Sequence, residues 1–202
     1  MVVEGSNGTG KSTVVTDLAA RTVAEAFHYP EAFVRFRADV HLDDAVRPVA
    51  RLQYYLAATL HLSDLVADAL ERGPVVCDRY LAGPASLLEA VEALAPGDLE
   101  AMVEAVLPRM VRPDVTLLLV ARPDVASSRV RARADKERSG VLSPVERRSV
   151  DPRFRRRRDA ALRRHAGSLG PVVELDTTDL DPRAMLAEAW ALVEPAFAAK
   201  RR

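Results

Sequence analysis

Short apolar runs alternate along the chain with longer stretches in which apolar residues return every three or four positions. The first pattern marks strands and the second amphipathic helices. Val2-Val3 opens a brief strand, and a helix follows from residue 12 to about 26, with Val14, Val15, Leu18 and Val23 on one side. Phe33-Val34-Arg35-Phe36 reads as a second strand. A long Leu- and Ala-rich helix is capped by Asp43-Asp44, runs to about residue 72 and is stopped by Gly73-Pro74. Pro74-Val75-Val76-Cys77 reads as a buried strand ending at Asp78. Helices follow over 84–94 and 98–111, divided by Pro96-Gly97. Residues 114–120 form the clearest strand, apolar on both faces, which suits a parallel sheet covered on both sides. Pro123 occupies a helix first turn, with 124–134 behind it. Residues 171–175 give a last strand and 182–197 a last helix. This alternation predicts βαβ units around a parallel sheet. The polar stretch 134–151, with Gly140 and Pro144, is the segment expected to be a mobile loop.

At 202 residues the chain is expected to be one domain, 1–202, with a small lid over about 134–151. Hydrophobic residues make up 49% and charged residues 29%, a composition that excludes disorder. The 29 basic and 29 acidic groups cancel, but they are segregated. Residues 1–120 hold 10 basic and 17 acidic groups, 121–165 hold 15 and 6, and 166–202 hold 4 and 6. The sum argues against a nucleic-acid polymer as partner, whereas the basic middle calls for something acidic nearby. Of the basic residues 26 are Arg, whose planar forks suit phosphate. Cys77 is the one cysteine, so no internal disulfide forms, which fits a reducing cytoplasmic setting. There is no apolar run long enough for a membrane span and no charged leader before Val2-Val3, so neither a membrane nor a secretory route is expected.

Gly5-Ser6-Asn7-Gly8-Thr9-Gly10-Lys11-Ser12 matches G-x-x-x-x-G-K-[ST], after a strand and opening a helix. Glycines let backbone N–H groups close around phosphate oxygens, and the helix N-terminus adds partial positive charge. Asn7, Gly8, Thr9, Gly10, Lys11, Ser12 and Thr13 are therefore expected to hold ATP, with Lys11 on the β- and γ-phosphates and Ser12 on Mg²⁺. Asp78-Arg79-Tyr80 closes the third strand, where open α/β sheets place ligands. Asp78 is a second candidate for Mg²⁺, and Arg79 for a phosphoryl clamp.

Glu4-Gly5 through Thr13, then Asp78-Arg79-Tyr80, then Arg-Pro-Asp-Val-Thr-Leu-Leu-Leu (112–119) and Arg129-x-x-x-Arg133 resemble the thymidylate kinase and deoxynucleoside kinase superfamily over nearly the whole chain. The resemblance implies a three-layer α/β P-loop kinase fold with a five-stranded parallel sheet and a small arginine-rich lid, phosphoryl transfer from ATP with Mg²⁺, and a homodimer. It implies a nucleoside or nucleoside monophosphate as acceptor. The chain lacks the Arg-Glu-Pro-Gly-Gly loop of thymidylate kinases, has Gly83-Pro84 and Leu87-Leu88 where they read thymine, and has Ala58 near their base-contacting Arg. Pro30-Glu31-x-x-x-Arg35-Phe36 and Leu52-Gln53-x-Tyr55 resemble the nucleoside kinase branch instead. There Glu31 would take the proton from an acceptor hydroxyl, Arg35 would bind substrate, and Gln53 would bind the base. A hydroxyl with a high pKa needs such a base, whereas a phosphate acceptor is already ionised. Tyr80 completes the implied substrate site.

Arg129 and Arg133 share a helix face and match the family's lid arginines, aimed at the transferring phosphates and, for Arg129, at ATP. Arg155–Arg158 read as a solvated helix face opposite acidic residues. His28, His41, His61 and His165 lack metal-ligand spacing. Asp135 and Glu137 would contact a sugar hydroxyl, and Thr177-Thr178 would lie near adenine. Trp190 reads as a core or dimer residue. Two other readings stay open: a kinase of a non-nucleotide metabolite hydroxyl, and an ATP- or GTP-binding regulator, although the Asn-Lys-x-Asp motif of switch GTPases is missing.

Overall fold

The structure is a computed structural model that describes residues 1–39, 42–91, 96–138 and 140–199. Five strands, β1 Val2–Gly5, β2 Glu25–Phe27, β3 Val75–Asp78, β4 Thr116–Val120 and β5 Val172–Asp176, pair in the order β2-β3-β1-β4-β5. Every pairing is parallel, with Val3 opposite both Asp78 and Leu117. The helices are α1 Lys11–Thr22, α2 Glu31–Asp39, α3 Leu42–Ala45, α4 Pro48–Leu70, α5 Ala82–Ala90, α6 Pro96–Val106, α7 Pro123–Arg138, α8 Pro144–Ser149, α9 Pro152–Gly167 and α10 Pro182–Ala199.

Alternate side chains of the central strands feed opposite cores, as the pleat requires. Val3, Val76, Leu117 and Leu119 pack with Val14, Val15 and Leu18 of α1 and Met185, Ala189 and Val193 of α10. Val2, Val75 and Cys77 face Leu56, Leu62 and Val66 of α4 and Leu88 of α5. Leu118 joins Leu162 and Ala166 of α9. The chain leaving β1 thus enters a helix on one face, and the chain leaving β3 enters one on the other. The carboxyl ends of β1 and β3 frame a crevice between them, the place where parallel sheets bind ligands.

Several sequence expectations need correction. Residues 33–36 are not a strand: they lie inside α2, where the N–H groups of Phe33 and Val34 both donate to the Pro30 carbonyl at 3.0 and 3.1 Å. Pro30 starts the helix, and Val34 and Phe36 stay about half exposed, so the apolar run is a helix surface. The real second strand, β2, is three residues long and had been absorbed into the end of the first helix. That helix stops at Thr22 because Val23 turns left-handed, φ 54°. The long helix is cut at Pro48, which can start a helix but not continue one, leaving α3 before α4. The helix expected over 84–94 is α5, which starts at Ala82 and ends at Ala90, and residues 92–95 and His41 lie outside the described residues. The second of that pair ends at Val106, followed by a 3₁₀ turn around Pro108.

The stretch 134–151 is not a featureless loop either. α7 continues to Arg138, and α8 forms behind a reciprocal cap in which Ser143 and Glu146 satisfy each other's backbone N–H groups. Cys77 is buried and Trp190 half-buried against the α10 core, stacked on Phe197. Leu118 is 1% exposed between β-sheet and α9. Leu118→Ala is expected to lower unfolding free energy by about 2–5 kcal/mol in urea titration, the cost of a core cavity.

Candidate active site

The loop after β1 is shaped by its glycines. Gly8 (φ +84°) and Gly10 (φ +93°) adopt left-handed backbone, and a Cβ on either would lie 2.3 Å from the Ala126 carbonyl oxygen or 2.6 Å from Met185 Sδ. α7 and α10 therefore press on the cradle from outside. Lys11 is buried and donates to the Ser6 carbonyl at 2.8 Å, as Thr9 does at 2.9 Å. Burial, then the neighbouring Arg79 guanidinium, pushes the Lys11 ammonium well below its ordinary value. A phosphate arriving there would reverse that shift.

β3 delivers the second half of the site. Arg79 sits at φ 72°, rare for a side-chain-bearing residue, and its N–H donates to the Val3 carbonyl at 3.0 Å. Glu4 holds this turn in place: one buried carboxylate oxygen accepts from the N–H groups of Tyr80 (2.8 Å) and Gly83 (3.1 Å). The other has no partner. Burial pushes the Glu4 carboxyl up, against the pull of Arg79. Arg79 in turn donates to Asn7 Oδ1 at 3.0 Å and the Gly5 carbonyl at 3.3 Å, tying the two loops together.

Ser12 Oγ lies 3.3 Å from Asp78 Oδ2, and Asp78 Oδ1 is buried without a partner. A hydroxyl and a carboxylate are hard oxygen donors of the kind Mg²⁺ takes alongside substrate phosphates. The residues therefore fit that ion. Among the described residues no three His, Cys, Asp or Glu converge in a group that could hold a metal ion. Asp78 Oδ2 is also 3.5 Å from His28 Nδ1.

Beyond Arg79 a cavity of about 360 Å³ opens between α2, α4, α5 and α8. Tyr29, Tyr54, Tyr55, Val34, Pro84, Leu87 and Val145 give it an aromatic and apolar wall, and Asn7, Asp78, Arg79 and Arg158 line its junction with the cradle. Tyr29 and Tyr55 meet edge to face at 6.4 Å, and Tyr29 is anchored to Thr59 Oγ1 at 3.0 Å.

The site residues expected from sequence thus divide. Asn7 through Thr13, Asp78, Arg79 and Tyr80 are brought together at the strand ends, although the Tyr80 side chain is buried and its hydroxyl donates to the Val111 carbonyl. Glu31, Arg35 and Gln53 are not brought to the cavity. Glu31 is 79% exposed and pairs with Arg35 at 2.8 Å along α2, and Gln53 faces outward from α4. Arg129 and Arg133 diverge. Arg129 donates to Thr177 Oγ1 (3.1 Å) and the Thr177 carbonyl (2.8 Å), bracing the turn after β5. Arg133 joins Arg138 on Glu146 Oε1 at 2.6 and 2.9 Å.

Sequence reading missed two groups. Glu4 hides in a strand, where an acid next to the cradle gives no periodic signal. The run 155–158 is not a uniformly solvated face: Arg155 is 1% and Arg158 3% exposed, while Arg156 and Arg157 are exposed. Arg155 donates to the Asn7 carbonyl at 2.8 Å, and Asp159 accepts from Ser6 Oγ at 2.5 Å, so α9 grips the cradle. The signal was present, since 154, 155, 158, 161 and 162 share one stripe of a helix otherwise filled by Phe154, Ala161 and Leu162.

A phosphate cradle and an Asp-Arg turn at the ends of a five-stranded parallel sheet mark a P-loop nucleoside or nucleotide kinase. The thymidylate kinase family model matches residues 3–157, and the chain belongs to that family. A thymidylate kinase of Methylococcus capsulatus is 35% identical over 148 residues, covering 68% of this chain and 71% of that protein. The thymidylate kinase of Candida albicans superposes with a TM-score of 0.73 at 16% identity, over 96% of this chain and 90% of that one. The deoxyadenosine kinase of M. mycoides with bound dATP gives 0.65 at 17%, over 96% and 98%. Among the described residues no helix is long and apolar enough to cross a membrane.

Glu146 ties α8 to α7. Burial alone would raise its carboxyl, but hydrogen bonds from Arg138, Ser143 and Arg133 outweigh it and bring it down to about 2. A depressed folded pKa contributes stability above the ordinary value of 4.5 that is lost as pH falls towards about 2. Hydrogen-exchange protection of the α8 amides is expected to decline over that window, and to be lost at neutral pH in Glu146→Gln.

Proposed function

We propose that this kinase transfers the γ-phosphate of MgATP to a nucleoside monophosphate. The observation that supports this best is the junction of cradle and cavity, where Arg79 and Arg158 both line the acceptor's path. Glu31, the base a hydroxyl acceptor would require, stands outside it on an exposed helix. Lys11 would hold the β- and γ-phosphates, and Ser12 and Asp78 would hold Mg²⁺, which supplies charge neutralisation on those phosphates. Arg79 would orient the acceptor's phosphate for in-line attack. The aromatic wall would hold the base by stacking and excluded water. Arg129 and the Thr177 turn would frame the adenine end of ATP. Arg133 would become available for the transferring phosphoryl group only if α8 releases it. A single domain with its lid over 134–151, a homodimer through α4, and a cytoplasmic setting belong to this reading on the strength of the family alone.

A hydroxyl acceptor is favoured by one observation, the contact of His28 with Asp78 inside the cavity, which offers an imidazole to take a proton. ADP release with MgATP, measured against nucleoside 5′-monophosphates, nucleosides and small alcohols, separates the readings. Release is expected with monophosphates and should fall by about a thousandfold in Lys11→Ala. Release driven only by nucleosides or alcohols would establish the hydroxyl reading, and acceptor-independent release would point to a regulator.

A further inference from the structure

Arg155 is the most deeply buried charged side chain of α9, at 1% exposed. Its fork spans two main-chain carbonyls: Nε donates to Ser149 at 3.1 Å and Nη2 to Asn7 at 2.8 Å. Burial pulls the guanidinium below its ordinary value, and Asp159, one turn further on, opposes this. Ser149 is the last residue of α8, so the side chain cannot swing without parting from that helix. At its other end, Asn7 is held twice: Arg79 donates to its side chain at 3.0 Å and Arg155 to its carbonyl. A trans peptide points its N–H opposite to its C=O. The bond that pins the Asn7 carbonyl against α9 therefore turns the Gly8 N–H away from α9. α7 closes the Cα side of the same residue, where a Cβ would lie 2.3 Å from the Ala126 carbonyl oxygen. The Asn7–Gly8 peptide is thus fixed on both sides, although glycine alone would leave it free to rotate.

We propose that Arg155 is a positioning residue for phosphate binding: by holding the Asn7 carbonyl outward, it aims the Gly8 N–H into the loop after β1, where the phosphates of ATP would lie. This role rests on the reading of that loop as the ATP site and is independent of what accepts the phosphoryl group. Arg155 acts through one peptide rather than on the nucleotide itself. A charged donor on the carbonyl polarises that peptide, which strengthens the N–H on its far side. A donor aimed before the ligand arrives also costs no reorganisation when it binds. Asp159 grips the same loop differently: it accepts from the Ser6 hydroxyl at 2.5 Å, a side-chain bond that orients no peptide.

The test pairs calorimetric binding of MgATP and of tripolyphosphate with amide NMR of the isotope-labelled full chain, in wild type, Arg155→Met and Arg155→Lys. Tripolyphosphate carries no base or sugar and so reports on the loop alone. Wild type is expected to bind both, and tripolyphosphate should move the Gly8 amide proton downfield, as donation to a charged acceptor does. Arg155→Met should weaken both ligands about tenfold, the worth of one such hydrogen bond. It should also abolish the Gly8 shift while the Lys11 and Ser12 amides still move. Arg155→Lys keeps the charge without the fork and should restore affinity and the Gly8 shift only in part. The role is overturned if tripolyphosphate binds wild type without moving Gly8, or if the Gly8 shift survives in Arg155→Met. Loss of the Gly8, Lys11 and Ser12 shifts together overturns it as well, since the loop would then have collapsed as a whole. So does full affinity in Arg155→Lys with Gly8 unmoved, which would leave only a charge effect. Should Arg155→Met not fold, a wild-type Gly8 shift and affinity in Arg155→Lys, at a lowered thermal midpoint, likewise overturns it. Wild type that binds neither ligand removes the ATP reading and this role with it. Arg155-dependent binding without phosphoryl transfer to any acceptor would leave the role standing and remove the proposed reaction.

Discussion

Like charges held together out of water are the constraint on which this structure turns. Lys11 and Arg158 are buried and Arg79 half-buried around one point at the carboxyl ends of β1 and β3. Glu4, also buried, is one counter-charge beside Asp78 and Asp159, and one of its oxygens is spent on the N–H groups of Tyr80 and Gly83. Burial pushes Lys11 and Arg158 downward and Glu4 upward, so each charged form is disfavoured where it stands. Such an arrangement is stable only because the surrounding backbone fixes it, and it is relieved when a polyanion enters.

The fold supplies that fixity. Parallel pairing delivers β1 and β3 side by side, with Asp78 at the end of β3 opposite Val3, and the loops leaving them are tied by Arg79 to Asn7 and Gly5. Outside the cradle, α7 meets Gly8, α10 meets Gly10, and α9 holds Ser6 and Asn7. Thr177, braced by Arg129, donates to the Thr9 carbonyl at 3.2 Å and so joins β5 to the same loop. Five separate elements therefore converge on the loop after β1, which is what preorganisation means in structural terms.

Local chemistry made much of this readable from sequence. The glycine spacing, Lys11, Ser12 and the Asp78-Arg79 pair depend on residues close in the chain, and the apolar strand 114–120 announces a sheet covered on both faces. Elements whose conformation is decided elsewhere were misread. Phe33 to Phe36 carries strand-like residues, yet Pro30 and the Glu31–Arg35 pair make it a helix. β2 is too short and too exposed to show a pattern. Arg129 and Arg133 share a helical face as their spacing demands, but Thr177 and Glu146, distant in sequence, draw them to different partners. Arg158 looked like one of four solvated arginines, because burial of a charge is a tertiary event that composition does not encode.

The proposed function requires the buried cations at the ends of β1 and β3 to bind a continuous run of phosphates. A crystal structure with a non-hydrolysable ATP analogue and a nucleoside monophosphate tests it most directly. Phosphate oxygens are expected within hydrogen-bond reach of Lys11 Nζ and the Arg79 fork, in one unbroken line from cradle to cavity. An acceptor phosphate seated away from Arg79 would contradict it.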